Sequence, residues 1–340
     1  MYWFVFGGFI ALVIGLGLSI IVLFRFVWQN SKGKIRFLAQ NISLSVFSIL
    51  IVLIFLELFF YSFAQSDALG YTLASRNWFK RYWIKNSLGY RDVEWTAQRL
   101  EGRTKIMVVG DSFVAGYGLK NKEDIFSYVL GQQLGDDYAV MNVGRNGVNM
   151  EGAIENALDY PYEPDIMILT IYVNDIDGTA PDKGASHPPA LQVDVPALLA
   201  PLVENSYAAN FFYWRMYRLG AKEWDNTYWN WLLSRYDDPE IWQAYREQLL
   251  LINAYMTKNN KKLIVVVFPH LTAVEESRPF TSKMVDLFSR RGVPVLDVAN
   301  LVEGIDSNKL IVNAFDPHPS RFLHHLVGKE LYNLVSNCQK

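Results

Sequence analysis

Three short segments of this 340-residue chain carry side chains whose types and order suit acyl chemistry. Gly110-Asp111-Ser112 stands where a predicted strand hands over to a helix. A serine on such a turn projects its hydroxyl from the strand's carboxyl edge. There the unpaired N–H groups and positive dipole end of the following helix suit a developing oxyanion. Tyr172-Val173-Asn174-Asp175 offers a side-chain amide, and Asp316-Pro317-His318-Pro319 an imidazole. A serine hydroxyl is a poor nucleophile until a neighbouring base takes its proton. The imidazole of His318 is suited to that near neutral pH. A carboxylate on its other ring nitrogen would hold the tautomer and stabilise the imidazolium. Each segment also has an ordinary structural use: Ser112 as a helix cap, Asn174-Asp175 as a turn, Asp316-Pro317 as the start of the last helix. Their joint occurrence in a workable order is what points to chemistry.

Such groups need a scaffold that brings distant segments to one edge. Strand-like runs at Lys105–Val109, Tyr138–Val143, Ile166–Val173, Lys262–Phe268 and Val293–Asp297 alternate with helical patterns. The helices are expected at Asp124–Leu134, Met150–Leu158, Pro239–Lys258, Thr281–Arg291 and Ser320–Val335. This alternation predicts an α/β fold, a doubly wound, mostly parallel sheet covered on both faces. Ligands in that architecture bind beyond the carboxyl ends of the strands. The pattern is interrupted between the third and fourth strands. Gly178 to Pro201 reads as loop, and Asn205 to Tyr236 is packed with aromatics, Trp214, Trp224, Trp229 and Trp231 among them. That insertion, at about 178–238, reads as a helical subdomain burying its aromatics against the sheet. The alternatives are a cap over the site, or a surface that rests on lipid or stacks on sugar.

The amino-terminal part is of another kind. Met1 to Phe24 holds no charged residue, and Ile42 to Phe63 is equally apolar apart from Glu57. Each run is long enough to cross a hydrocarbon core of about 30 Å as a helix. The first lacks the basic leader and small-residue cleavage site of a signal peptide. Residues 1–64 are therefore expected to form two transmembrane helices. The connecting loop carries Arg25, Lys32, Lys34 and Arg36 and no acid, so it is expected on the cytoplasmic side. Everything after about Ala64 is then extracytoplasmic, periplasmic or extracellular. Residues 65–100, with Trp78, Tyr82, Trp83 and Trp95, read as a juxtamembrane collar, and 101–340 as the catalytic domain. Glu57 sits toward the outer end of the second span, within reach of the interface.

A formal net charge of −2 argues against nucleic acid as a partner. The single cysteine, Cys338, excludes an internal disulfide framework and a thiolate metal cluster. Gly116 and Gly118 fit neither a phosphate loop nor the dinucleotide fingerprint. No cofactor and no metal are called for.

Gly110-Asp111-Ser112, then Asn142-Val143-Gly144-Arg145-Asn146-Gly147, then Asn174-Asp175, then Asp316-Pro317-His318-Pro319 resemble, in order, the successive blocks of the SGNH (GDSL-type) hydrolase family. The similarity covers about Lys105 to Val335, without the aromatic insertion and the apolar amino-terminal part. It implies a flavodoxin-like sheet, Ser112 as nucleophile, His318 as base and Asp316 as the group that orients the imidazole. It also implies an oxyanion hole made of the backbone N–H groups of Ser112 and Gly147 and the side-chain amide of Asn174. A glycine at position 147 would let its N–H approach a bound acyl group closely. Asp111 and His270, which follows the fourth strand at the same edge, are further pocket candidates. His187, His324 and His325 read as surface or packing residues. The chain departs from the family pattern twice: Tyr172 stands where the third block usually begins with glycine, and Asp316 precedes His318 by two residues where three is commoner.

These readings predict a membrane-anchored serine esterase or acyl hydrolase, its substrate an ester on a glycan, a lipid or a small molecule, with membrane lipid as its surroundings. The alternatives are an O-acyltransferase using the same residues on an envelope polysaccharide, or an inert scaffold subunit with a partner in an envelope assembly.

Overall fold

The computed structural model describes residues 2–68, 70–188, 194–220 and 222–337, so Cys338 and part of the loop read between Gly178 and Pro201 lie outside it. Five strands form one sheet: β1 (Thr104–Gly110), β2 (Tyr138–Gly144), β3 (Ile166–Tyr172), β4 (Lys262–Phe268) and β5 (Val295–Asp297). All are parallel, in the order β2-β1-β3-β4-β5. This is the expected doubly wound order, which reverses between β1 and β3 and leaves a crevice beyond their carboxyl ends. Every residue of β3 is buried, and β1 and β4 are buried over their last five and six residues. Strands covered on both faces read as such unbroken apolar runs. The register sets Gly110 beside Gly144, and Tyr172 beside Phe268. The segments that follow β1, β2 and β3 therefore leave the sheet at one edge.

The covering helices bury one stripe each. On Pro239–Lys258 the buried positions are Ile241, Tyr245, Leu249, Ile252 and Met256, spaced three and four residues apart. Burying each such side chain is worth about 1.5–3 kcal/mol. The helix expected at Thr281–Arg291 begins earlier, at Arg278, because Pro279 fits a first turn that has no use for its missing N–H. The helix expected from Asp124 begins at Phe126, after a 3₁₀ turn over Lys122–Asp124. Near the carboxyl end, β6 (Ile311–Asn313) and β7 (Asp316–Pro319) pair antiparallel, and the last helix, Arg321–Asn337, follows.

The chain divides into two compact units. One holds Ser66–Ala68, Phe79–Leu191 and Lys222–Lys340, hence the sheet. The other holds Met1–Gln65, Leu69–Trp78 and Gln192–Ala221, so the residues expected as a single insertion are shared between the two. In this second unit, the helices Tyr2–Asn30 and Gly33–Ser62 are long and apolar enough to cross a membrane, with a mean hydropathy of 2.7 in the most apolar 18-residue stretch of the second. Their described side chains are largely exposed, as for Leu53, Phe55 and Leu58. Glu57 is an exception. Its carboxylate is buried and accepts hydrogen bonds from Ser206 Oγ at 2.8 Å, Tyr207 N at 2.6 Å and Ala208 N at 3.1 Å. It thus caps the helix Tyr207–Gly220, placing negative charge at the positive end of the helix dipole. Trp78, read as part of the juxtamembrane collar, is buried within the protein.

Candidate active site

The turn after β1 is built to hold a serine. Asp111 is the N-cap of the one-turn helix Ser112–Ala115, its Oδ1 accepting from Phe113 N at 2.9 Å. As the first residue of that helix, Ser112 has an N–H without an intrahelical acceptor. Asn142, fully buried on β2, ties the turn down: its Nδ2 donates to Val114 O at 2.7 Å and Ser127 Oγ at 2.8 Å, while its Oδ1 accepts from Gly144 N. Arg91, also buried, donates to the carbonyls of Gly116, Leu119 and Lys120 in the loop that follows. Burial lowers its pKa to about 10, so it remains cationic at neutral pH. Burial pushes the carboxyl of Asp111 up, and that of Asp175 well up, the charge of Asp111 adding to the effect on Asp175. Asp175 holds the next turn by accepting from Tyr172 N at 2.7 Å.

His318 arrives on β7. Its Nε2 lies 2.9 Å from Ser112 Oγ and its Nδ1 2.5 Å from Asp316 Oδ1. The two-residue spacing suits this geometry, because alternate residues of a strand share a face. Asp316 is fully buried, and its Oδ2 has no hydrogen-bond partner among the described residues. Gly118, at φ +87°, permits that burial: a Cβ there would stand 2.9 Å from Asp316 Oδ2. The imidazole also packs on the Tyr117 ring, centroids 4.4 Å apart, and edge-on to Phe113 at 5.7 Å. The Tyr117 hydroxyl is fixed by Asp67 O at 2.8 Å.

A cleft of about 770 Å³ opens over these groups, and Ser112, His318, Gly147 and Asn174 all line it. Gly147 stands at φ +77°, a backbone conformation that side chains rarely adopt, and a Cβ there would meet no protein atom within 4 Å. Asn174 lies in the 3₁₀ turn Val173–Asp177, its Oδ1 buried without a hydrogen-bond partner among the described residues. Tyr172 stacks on Phe113 with ring centroids 4.2 Å apart and forms part of the cleft wall.

One histidine expectation is corrected. His270 does not line the cleft. It is buried behind Trp229, ring centroids 4.1 Å apart, and burial lowers its pKa to about 4. His187 is exposed, as read, and it also lines the cleft, with Nε2 3.3 Å from Asp177 Oδ1. Asp177 also accepts from Tyr228 OH at 2.9 Å. The sequence reading missed Asp177, Tyr228 and Trp229 as cleft residues. A signal for the first existed: Asp177 follows Asn174 by three residues, and in a 3₁₀ turn such positions eclipse. His324 and His325 are packing residues as expected, His324 fully buried against Phe126 and His325 paired with Asp124. Among the described residues no group of acids, histidines and cysteines is placed to hold a metal ion.

No protein-family model and no curated protein matches the chain. Among solved structures it is similar to a member of the lipolytic protein G-D-S-L family from Veillonella parvula DSM 2008, at 12% identity and a TM-score of 0.41, over 68% of this chain and 98% of that one. A carbohydrate acetylesterase family member from Sinorhizobium meliloti matches at 16% identity and a TM-score of 0.40, over 68% of this chain and 97% of that one. The lipase/acylhydrolase from Enterococcus faecalis matches at 15% identity and a TM-score of 0.40, over 68% and 95%. Those scores are too low to carry chemistry, which rests on the cleft's own atoms.

Proposed function

We propose that this chain is a membrane-anchored serine esterase that hydrolyses a carboxylic ester outside the cytoplasm. One observation carries the reading: Ser112 Oγ, the two ring nitrogens of His318 and Asp316 Oδ1 form a continuous hydrogen-bonded line, with steps of 2.9 and 2.5 Å, at the floor of an open cleft. Ser112 Oγ attacks the carbonyl carbon as its proton passes to His318 Nε2. The developing oxyanion meets the N–H groups of Ser112 and Gly147 and the amide of Asn174. The ester C–O bond then breaks, and the departing alcohol takes the proton back from His318. Water repeats the sequence on the acyl-enzyme, releasing the carboxylic acid and restoring Ser112. Asp316 keeps Nδ1 protonated and faces the imidazolium formed in each half.

Two apolar helices of 29 and 30 residues support the anchor, and the basic connection between them supports an extracytoplasmic catalytic domain. Labelling with a fluorophosphonate probe tests the function. The parent should be modified on Ser112, Ser112→Ala should not, and His318→Ala should react at least 100-fold more slowly. Labelling that persists in Ser112→Ala moves the nucleophile elsewhere and ends the proposal.

A further inference from the structure

The cleft is also lined by groups that take no part in bond breaking, and several of them form one wall. Trp229 supplies an indole ring held from three sides: by His270 behind it at 4.1 Å, by Tyr228 at 5.5 Å and by Tyr172 at 5.9 Å, centroid to centroid. Since burial holds His270 near pKa 4, the ring behind the indole is neutral at pH 7 and serves as packing. Beside this platform, Asp177 is fixed by the Tyr228 hydroxyl and lies next to the ring of His187. Asn146 and Asn149 line the same cleft. No lysine or arginine is among its described lining residues, while two carboxylates, Asp111 and Asp177, are. Arg145, the nearest cation in sequence, is occupied over the Tyr90 ring at 4.7 Å.

We infer that this wall, made of Asp177, His187, Tyr228 and Trp229, is a subsite for the alcohol side of the ester and takes an uncharged sugar ring. The inference rests on the esterase reading and names its substrate class. A rigid indole offers an apolar face to the axial C–H groups of a pyranose, while a carboxylate and amides at its edge bind hydroxyls. An anionic sugar or a phosphate headgroup would meet two carboxylates and no fixed cation, which disfavours it. A long acyl chain would leave the polar edge unpaired. Positions 228 and 229 belong to the segment that interrupts the strand–helix alternation, so the interruption has a role: it builds the specificity wall.

The test uses the full chain in detergent micelles and compares kcat/KM for three substrates: p-nitrophenyl acetate, an O-acetylated neutral xylo-oligosaccharide and an O-acetylated polyuronate. The parent should prefer the neutral sugar ester over the polyuronate by at least tenfold. Trp229→Ala and Asp177→Asn should each lower the ratio of kcat/KM for the sugar ester to that for p-nitrophenyl acetate by tenfold or more, mainly through KM, and Trp229→Phe should recover part of it. Preference for the polyuronate, or a ratio that does not move in either variant, overturns the inference while leaving the esterase standing. A parent inert toward p-nitrophenyl acetate and toward the fluorophosphonate probe overturns the esterase reading itself.

Discussion

Replacing Asp316 by asparagine separates charge from geometry. The carboxyl group is fully buried, and its Oδ1 meets both His318 Nδ1 at 2.5 Å and His318 N at 3.3 Å. An asparagine can keep its carbonyl oxygen in that place. Its amide nitrogen then occupies the position of Oδ2, which has no hydrogen-bond partner to lose. What disappears is one negative charge facing the imidazolium. With charge centres about 3.5 Å apart and an effective dielectric of about 20, that pair is worth about 5 kcal/mol. The imidazolium is fully formed only on the way to the tetrahedral intermediate, so the loss appears in kcat, on the order of 10³-fold, with little change in KM. Rates of p-nitrophenyl acetate hydrolysis and of fluorophosphonate labelling should fall together in Asp316→Asn, while the thermal midpoint stays within a few degrees of the parent. Asp316→Ala should lose at least as much activity and also lose stability, because the buried Nδ1–H and His318 N would then lack their acceptor. If Asp316→Asn keeps more than a tenth of parental kcat, the carboxylate is not what supports His318. The Tyr117 and Phe113 rings packed on the imidazole would then be sufficient to orient it.

Three further outcomes are expected. Asn174→Ala should lower kcat about 10²–10³-fold without a matching rise in KM, since an oxyanion-hole donor acts chiefly in the transition state; steady-state kinetics on p-nitrophenyl acetate checks this. His324, fully buried, has its pKa lowered by burial to about 3 from 6.5, so its stabilising effect is fully present above pH 6.5 and is lost as pH falls toward 3. Across that window the loss is about 5 kcal/mol, and His324→Gln, which can still accept from Phe126 N, should flatten the acid limb of a urea-denaturation series. Glu57→Ala removes the acceptor of three hydrogen bonds at the start of the helix Tyr207–Gly220 and should cost about 1–3 kcal/mol, seen as faster proteolysis within 194–220 while Glu57→Gln falls in between.

How much of this was legible in the sequence follows from the range of the interactions involved. The sheet was legible almost to the residue, because a strand buried on both faces must be written in consecutive apolar side chains, as in Ile166–Tyr172. The pairing of Ser112 with His318 was legible for a different reason: chemistry limits the residue types that can activate a serine, and the sheet delivers Ser112 to the edge where ligands bind. The β6–β7 hairpin was not legible, since two prolines in four residues deny β7 the donors of an ordinary strand, and only pairing with Ile311–Asn313 selects that conformation over a helix start. That hairpin decides the question raised by the spacing of Asp316 and His318. In a helix, residues two apart point to different sides, whereas in a strand they share one. Two residues are therefore the right separation for a pair carried on a strand.

The cleft wall was illegible for the opposite reason. His187 lies in a loop and His270 follows a strand at the sheet edge, and neither position says which of the two meets the cleft. An indole inserted from a distant helix decides which histidine meets the cleft and which supports the ring from behind. Nothing local to position 187 or 270 encodes that insertion. The nucleophile turn is fixed by contacts close to it in sequence and by one sheet edge, while the wall depends on where the interrupting segment is set down. Reaction type is thus the property that short motifs can disclose in this chain, and substrate choice the one that only its tertiary structure can.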